Sequence, residues 1–238
     1  MKRTHLKQRG FTLTELMIVV ALAAIFATLA VPNMGGMIAR QRVQGQANEI
    51  ANAFTFAHNE AVRLGKPVFV VPGQVNDNGK LNGSATDWSK ANALLVFADN
   101  GVNNQSYDAN EDLRVVPLNT KNIELRITKA ELGKAVKDEH DKDYSFIYYS
   151  NGQMRLRKST VAAAGATPTF SLESPGTLGR IVVRDTKRVT KNQANRFCEV
   201  VRVNATGRSS VYTGKRGNLN KTAASGGSDT TMDFFYCD

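Results

Sequence analysis

One stretch near the start of the chain limits what the rest can be. Phe11–Val31, Phe-Thr-Leu-Thr-Glu-Leu-Met-Ile-Val-Val-Ala-Leu-Ala-Ala-Ile-Phe-Ala-Thr-Leu-Ala-Val, holds a single ionisable side chain, Glu15. About 20 apolar residues carry a helix across a bilayer. Met1–Gly10 before it is short and polar, with Lys2, Arg3, Lys7 and Arg9 and no acid, which sets the start of the run on the cytoplasmic side. An ordinary secretory signal has its small-residue cleavage site after the apolar run, and Ala30 mimics one. Such a signal avoids a charge inside the run, however, and Glu15 is inside. An ionised side chain in hydrocarbon costs about 3 kcal/mol by insertion scales, so Glu15 either sits at the interface, close to Phe11, or meets a counter-charge.

Arg9-Gly10-Phe11-Thr12-Leu13-Thr14-Glu15-Leu16 resembles the class III signal of type IV prepilins and type II secretion pseudopilins. In that pattern a glycine precedes the cut, the following phenylalanine becomes the N-methylated first residue, and a glutamate sits five residues in. Gly10, Phe11 and Glu15 match all three. The resemblance implies cleavage after Gly10 by a prepilin peptidase, methylation at Phe11, and packing of the apolar helices into a filament core. There Glu15 pairs with the free amine of a neighbouring subunit's first residue.

Beyond the run, Pro32 lacks an N–H and is expected to loosen or kink the helix, and Gly35-Gly36 adds weakness. The pattern then turns amphipathic: Val43, Ala47, Ile50, Ala51, Phe54, Ala57, Ala61 and Leu64 recur at three- and four-residue steps. Arg40, Arg42, Gln46, Glu49, Glu60 and Arg63 take the other faces. Gly65-Lys66-Pro67 is a stop signal, so the helix is predicted over Phe11–Leu64, roughly 80 Å if straight. Strands are predicted at Val68–Val71, Ala93–Ala98, Leu113–Val116, Ile123–Ile127, Phe146–Tyr149, Met154–Leu156, Ile181–Val183 and Cys198–Val203. Ser150-Asn151-Gly152-Gln153 reads as a hairpin turn. Asn204–Asp238 reads as a tail whose middle, Asn218–Thr231, is small, polar and loop-like, and whose Met232–Tyr236 is apolar enough to return to the head.

Ala57-His58-Asn59-Glu60-Ala61-Val62-Arg63, Trp88, Val96-Phe97-Ala98-Asp99, Cys198–Val203 and Gly207-Arg208 together resemble the GspH/FimT family of minor pilins and minor pseudopilins. The stretches Gly73–Lys90 and Gly133–Tyr144 and the long tail depart from it. The fold implied is α+β, the type IV pilin fold, with a long N-terminal helix packed on an antiparallel β-sheet head. The organisation expected is a leader over 1–10, a transmembrane and filament-core helix over 11–32, its amphipathic half over 33–66 and a periplasmic β-rich head over 67–238. The implied role is a structural subunit that helps prime or cap a filament. A FimU-like subunit of a type IV pilus is preferred, with a type II secretion pseudopilin next. Its partners are other minor and major pilins, the prepilin peptidase and the inner membrane, and it has no cofactor.

The remaining side chains bear on narrower questions. Cys198 and Cys237 are the only cysteines, and none of the three histidines, His5, His58 and His140, lies near either. Metal binding there is disfavoured, and an exported location favours a disulfide worth on the order of 4 kcal/mol in the chain-entropy picture. Asp99–Asp112 is rich in oxygen ligands, but Asn, Asp and Gly also make turns, the EF-hand spacing is absent, and a solvated turn is preferred to a calcium loop. The formal charge is +10, with 31 basic and 21 acidic residues; without the four leader cations the balance is 27 to 21, or +6. DNA-uptake pilins of this family carry a Gly-Arg-x-Arg motif. Here Gly207-Arg208-Ser209-Ser210 keeps one arginine of the two, so DNA contact through Arg208, Lys215 and Arg216 ranks below assembly. No Walker-A loop, Gly-x-Ser-x-Gly or His-Glu-x-x-His is present, and the expectation is no enzyme.

Overall fold

The computed structural model describes residues 11–78, 80–84, 88, 91–99, 106–108, 110–130, 143–160, 169–187 and 197–214, without the side chains of 29–33 and 83–84. The chain divides into two compact units, one ending at Ala39 and the other beginning at Arg40.

A single helix, α1, runs over Leu13–Leu64. It starts two residues later than expected because Thr12 caps it. The Thr12 Oγ1 accepts the Glu15 N–H at 3.2 Å, and the Thr12 carbonyl accepts the Leu16 N–H at 3.2 Å. Neither Pro32 nor Gly35-Gly36 ends the element. Proline removes one backbone donor, and the unbroken ladder on either side outweighs that loss. The helix stops at Leu64, where Gly65 takes a φ of 65°, a left-handed conformation that glycine adopts without a side-chain clash.

The unit beginning at Arg40 builds two antiparallel sheets. The first contains β1 (Val68–Val75), β2 (Leu81–Ser84), β3 (Ala93–Ala98), β4 (Asp112–Pro117), β6 (Tyr144–Tyr148), β7 (Met154–Thr160) and β8 (Thr169–Leu172). Their order is β4-β3-β1-β6-β7-β8, with β2 paired to the far end of β1. The second orders β11 (Ser209–Thr213), β10 (Cys198–Val203), β9 (Leu178–Asp185) and β5 (Ile123–Ala130) as β11-β10-β9-β5.

All eight expected strands form, most of them longer than the apolar runs that marked them. Three further strands correct the reading. Part of the ill-fitting stretch after Gly73 is a hairpin, β1–β2, closed by the Asn76 carboxamide, whose Oδ1 accepts the Lys80 N–H at 2.8 Å. Thr169–Leu172 pairs with β7. Ser209–Thr213, read as tail, pairs with β10 over its whole length, since Val211, Tyr212 and Thr213 favour extended backbone. Asn218–Thr231 and Met232–Tyr236 lie outside the described residues.

The main core gathers one stripe of α1 and the inner faces of both sheets. Val43, Ala47, Ile50, Ala53, Phe54, Ala57 and Ala61 meet Val68, Val70, Leu94, Val96, Phe146 and Tyr148 of the first sheet and Ile127, Ile181, Val183, Val201 and Val203 of the second. Ala51 and Leu64, expected in that stripe, are only partly buried against it. Alanines at four of the contact positions let strands approach the helix closely, and Phe54 fills the centre with its ring edge-on to Phe146 at 4.6 Å. Gln46, expected on an outer face, is instead buried. Its Oε1 accepts the Asn119 N–H at 2.9 Å and its amide donates to the Pro117 carbonyl at 3.4 Å, tying helix to the β4–β5 connection.

The first sheet is covered on its other face as well. Phe69, Val71, Leu95, Phe97 and Ile147 form a second cluster. Beside it the guanidinium of Arg157 lies between the rings of Phe69 and Phe170, at 4.7 and 3.9 Å from their centroids. Burial lowers its pKa to about 10, a shift partly opposed by Tyr149.

Candidate functional site

The first candidate region is the start of α1. Glu15 lies in the first helical turn, where a carboxylate complements the unpaired N–H groups and the positive end of the helix. Its backbone serves the Thr12 cap, while its carboxylate makes no hydrogen bond or ion pair among the described residues. Around and after it Phe11, Leu13, Leu16, Met17, Ile18, Val19, Val20, Leu22, Ile25 and Phe26 are all exposed, Phe11 at 78%. A helix segment apolar on every side is stable in water only when something covers it. Among the described residues no helix is long and apolar enough to cross a membrane; the described side chains of the run end at Thr28, and those of 29–33 lie outside. Gly10 lies outside the described residues too.

The second region is where the turns of the two sheets meet over α1. The β6–β7 hairpin closes as expected at Ser150–Gln153, with the Tyr149 N–H donating to the Gln153 carbonyl at 2.9 Å. The β10–β11 turn, Asn204–Arg208, is held by the Asn204 side chain, whose Oδ1 accepts the Arg208 N–H at 2.9 Å. The Met154 N–H crosses between the sheets to the Ala205 carbonyl at 2.9 Å. Gly207, at φ 78°, leaves so little room that a Cβ there would lie 2.6 Å from the Gly152 carbonyl oxygen and 3.0 Å from His58 Cδ2. His58 rests against Tyr148, with ring centroids 5.8 Å apart. The Tyr148 hydroxyl is buried with no hydrogen-bond partner among the described residues, and burial pushes its pKa up. Sequence reading quoted His58 and Gly207 separately; only the fold shows that they touch, with Gly152 between them.

The two parts of Gly207-Arg208-Ser209-Ser210 go to different places. Gly207 is buried and Arg208 exposed. Ser209 turns inward, donating to the Ala51 carbonyl at 2.9 Å and meeting the Thr55 hydroxyl at 3.1 Å. Ser210 is exposed and pairs in register with Arg202. Lys215 and Arg216 lie outside the described residues.

Cys198 is buried and disulfide-bonded, and Cys237 lies outside the described residues. In the Asp99–Asp112 stretch the carboxylates close turns. Glu111 accepts the Asp108 N–H at 3.0 Å, and Asp112 accepts the Tyr107 hydroxyl at 3.1 Å. No cluster of three or more metal-ligating side chains occurs among the described residues, and 100–105 and 109 are not among them.

Two polar links between residues far apart in sequence had no signal there. Glu173 receives Lys129 from the second sheet at 3.3 Å and the Tyr144 hydroxyl from the first. Glu124 receives Arg184 at 2.7 Å and Arg126 at 2.9 Å. Burial raises the Glu124 carboxyl, but the two guanidinium groups outweigh it and hold it below its usual range.

An exposed apolar helix start bearing a lone glutamate, continuous with a helix half packed on antiparallel sheets, defines a pilin-like protein. The prokaryotic N-terminal methylation motif matches residues 5–31, and the model of the type II transport protein GspH matches residues 46–207. The chain belongs to the GspH family of minor pilins and pseudopilins. The match opens at the Gln46 clamp and closes at Gly207, leaving β11 outside. Two crystal forms of the type IV minor pilin FimU of Pseudomonas aeruginosa are similar in structure. The first has a TM-score of 0.37 at 12% identity, covering 73% of this chain and 90% of that one. The second has 0.36 at 14%, covering 71% and 91%. No curated protein matches the sequence significantly.

Proposed function

We propose that the chain is a minor pilin that helps prime or cap the assembly of a type IV pilus. Prepilin peptidase cuts after Gly10, Phe11 becomes the methylated first residue, and the run 11–32 holds the subunit in the inner membrane with its head in the periplasm. Glu15 then pairs with the amine of a neighbour's first residue as the subunit enters the filament among other minor and major pilins. Cys198 pairs with Cys237 and closes the chain's end onto β10. The observation that carries this reading is the single helix joining a methylation motif, with its Glu15 unpaired among the described residues and its exposed apolar start, to a GspH head. The second reading is a minor pseudopilin of type II secretion, favoured by the description of the matching family.

Intact-mass measurement of membrane-extracted protein tests the shared core of both readings. The mature chain is expected to begin at a methylated Phe11, and a start at Val31 or beyond refutes it. Deletion of the gene separates the two: lost surface pili with normal exoprotein secretion supports the pilus, and the converse supports secretion.

A further inference from the structure

The unit beginning at Arg40 holds a second feature away from both regions. A cavity of about 350 Å³ opens between its first helical turn and the β10–β11 edge, lined by Arg40, Val43, Gln44, Phe197, Glu199 and Thr213 together with the disulfide-bonded Cys198. Glu199 lies on the core-facing side of β10, the side that carries Val201 and Val203 into the main core. At this strand end the helix leaves it half-covered rather than enclosed. Its carboxylate has one weak partner, the Thr213 hydroxyl at 3.5 Å.

No cation reaches Glu199 among the described residues. Arg42 is engaged with Asp185 at 3.5 Å. Arg40, on the opposite wall, lies over the Phe197 ring at 5.7 Å. Burial raises the carboxyl, and nothing but the Thr213 hydrogen bond opposes it. Other buried or half-buried carboxylates among the described residues have a strong donor: Glu124 has two arginines, Glu173 a lysine and a tyrosine, Asp185 an arginine. Glu199 stands apart from them, beside an open space large enough for a long side chain.

We propose that this pocket receives a lysine or arginine side chain from a second filament subunit, with Glu199 as its counter-ion. The chemistry matches along the apolar wall and at Glu199. The apolar stem of a long basic side chain fits along Val43 and Phe197, as such stems do on apolar surface. Its charged end meets the carboxylate where partial burial strengthens the attraction. Arg40, itself a cation, is held over the Phe197 ring at 5.7 Å, so the attraction for the incoming charge comes from Glu199.

The inference rests on the chain being a filament subunit, and its test separates the two. A photo-crosslinking amino acid replaces the exposed Gln44 at the pocket wall in the full-length chain, expressed in cells with the rest of the assembly system. Irradiation is expected to link position 44 to another pilin subunit, at a peptide adjoining a lysine or arginine. Glu199→Gln is expected to lower that link about tenfold, the scale of losing one partner of a half-buried charge pair. The fluorescence unfolding midpoint of the head should stay unchanged or rise, which excludes misfolding as the cause. Restoring the link with Glu199→Lys and a complementary carboxylate at the crosslinked basic residue completes the case. Normal incorporation of the subunit with an unchanged link in Glu199→Gln overturns this inference and leaves the filament reading standing. If Arg40→Ala and Glu199→Gln lower stability equally and neither alters the link, Glu199 serves Arg40 internally and the inference falls. If the wild-type chain never enters a filament, both readings fall together.

Discussion

Replacing Gly207 by alanine tests whether the meeting of the two turns holds the head together. The residue has a φ of 78°, and the new Cβ would lie 2.6 Å from the Gly152 carbonyl oxygen, 3.0 Å from His58 Cδ2 and 3.1 Å from Tyr148 Cε1. The left-handed backbone costs an L-residue about 1–2 kcal/mol. Because the nearest atom belongs to a backbone turn that the Met154–Ala205 hydrogen bond also fixes, relief requires moving the turn, and overpacking of that kind costs about 1–3 kcal/mol. Together these give about 2–5 kcal/mol, and at about 2–4 °C per kcal/mol for a domain of this size the midpoint falls by on the order of 10 °C. Gly176→Ala supplies the control: its φ is 91°, but nothing lies within 4 Å of the added carbon, so only the backbone cost of about 1–2 kcal/mol applies. Trp88, the one tryptophan, is buried and donates its indole N–H to the Tyr144 carbonyl at 2.6 Å, so its fluorescence reports the head alone in detergent-extracted full-length protein. Equal midpoint losses for the two variants would refute the interlock, because only the contact distinguishes them.

Glu15→Ala is expected to leave the mature start at Phe11 unchanged while lowering the subunit's content in purified filaments several-fold; unchanged content rejects the intersubunit pairing. Thiol labelling of denatured, unreduced protein should find no free sulfhydryl, and two reactive thiols reject the Cys198–Cys237 pairing. Glu124 has a folded pKa held below its unfolded value, so its ionised form contributes stability above the ordinary carboxylate range and loses it as pH falls through the folded value. Glu124→Gln should therefore lower the Trp88 midpoint at pH 7, by the equivalent of about 0.5–1 kcal/mol for a partly exposed pair, and converge on the wild type in acid. Binding of duplex DNA should be weak, near or beyond about 10⁻⁴–10⁻⁶ M at physiological salt, measured by titration of labelled DNA. A sub-micromolar affinity that collapses in Arg208→Ala would make DNA uptake the function.

What the sequence showed and what it hid divide along physical lines. The end of the helix was legible, because Gly65 marks it and apolar spacing marks the buried stripe, whereas its start was placed two residues early because the Thr12 cap went unread. Every strand with neighbours on both sides was legible as well, since burial on two faces leaves an apolar run such as Ala93–Ala98. The three strands missed are β2, β8 and β11, of which the last two are sheet edges and β2 pairs only with β1. An edge strand needs less apolar surface: Thr169–Leu172 is mostly exposed, and Ser209-Ser210 begins β11 with two hydroxyls. Glu15 stood out as a candidate because a charge inside an apolar run has to be explained. The meeting of His58, Tyr148, Gly152 and Gly207 was not, because it joins four positions spread over 150 residues of chain, and no local pattern encodes a contact of that span.

Many of the residues that carried the family resemblance build the head. Ala57 and Ala61 are fully buried on the helix stripe, Val96, Phe97 and Ala98 are buried along the second half of β3, Trp88 is buried against the core, and Gly207 admits the neighbouring turn. None of these side chains is placed to meet a partner. A match built on them therefore transmits the fold with little information about which filament the subunit joins. Partner choice has to reside in exposed or half-exposed groups that the core does not constrain. Glu199 is one, although it falls inside the Cys198–Val203 stretch of the resemblance: nothing in the packing of β10 requires a carboxylate on its core-facing side, since Val201 and Val203 on the same face are satisfied by apolar contact alone. A residue whose burial raises its own energy, and which no cation reaches among the described residues, is better explained by an assembled state than by the stability of the subunit. On that argument pilus and secretion filaments are to be told apart at such surfaces, by which neighbour supplies the missing charge.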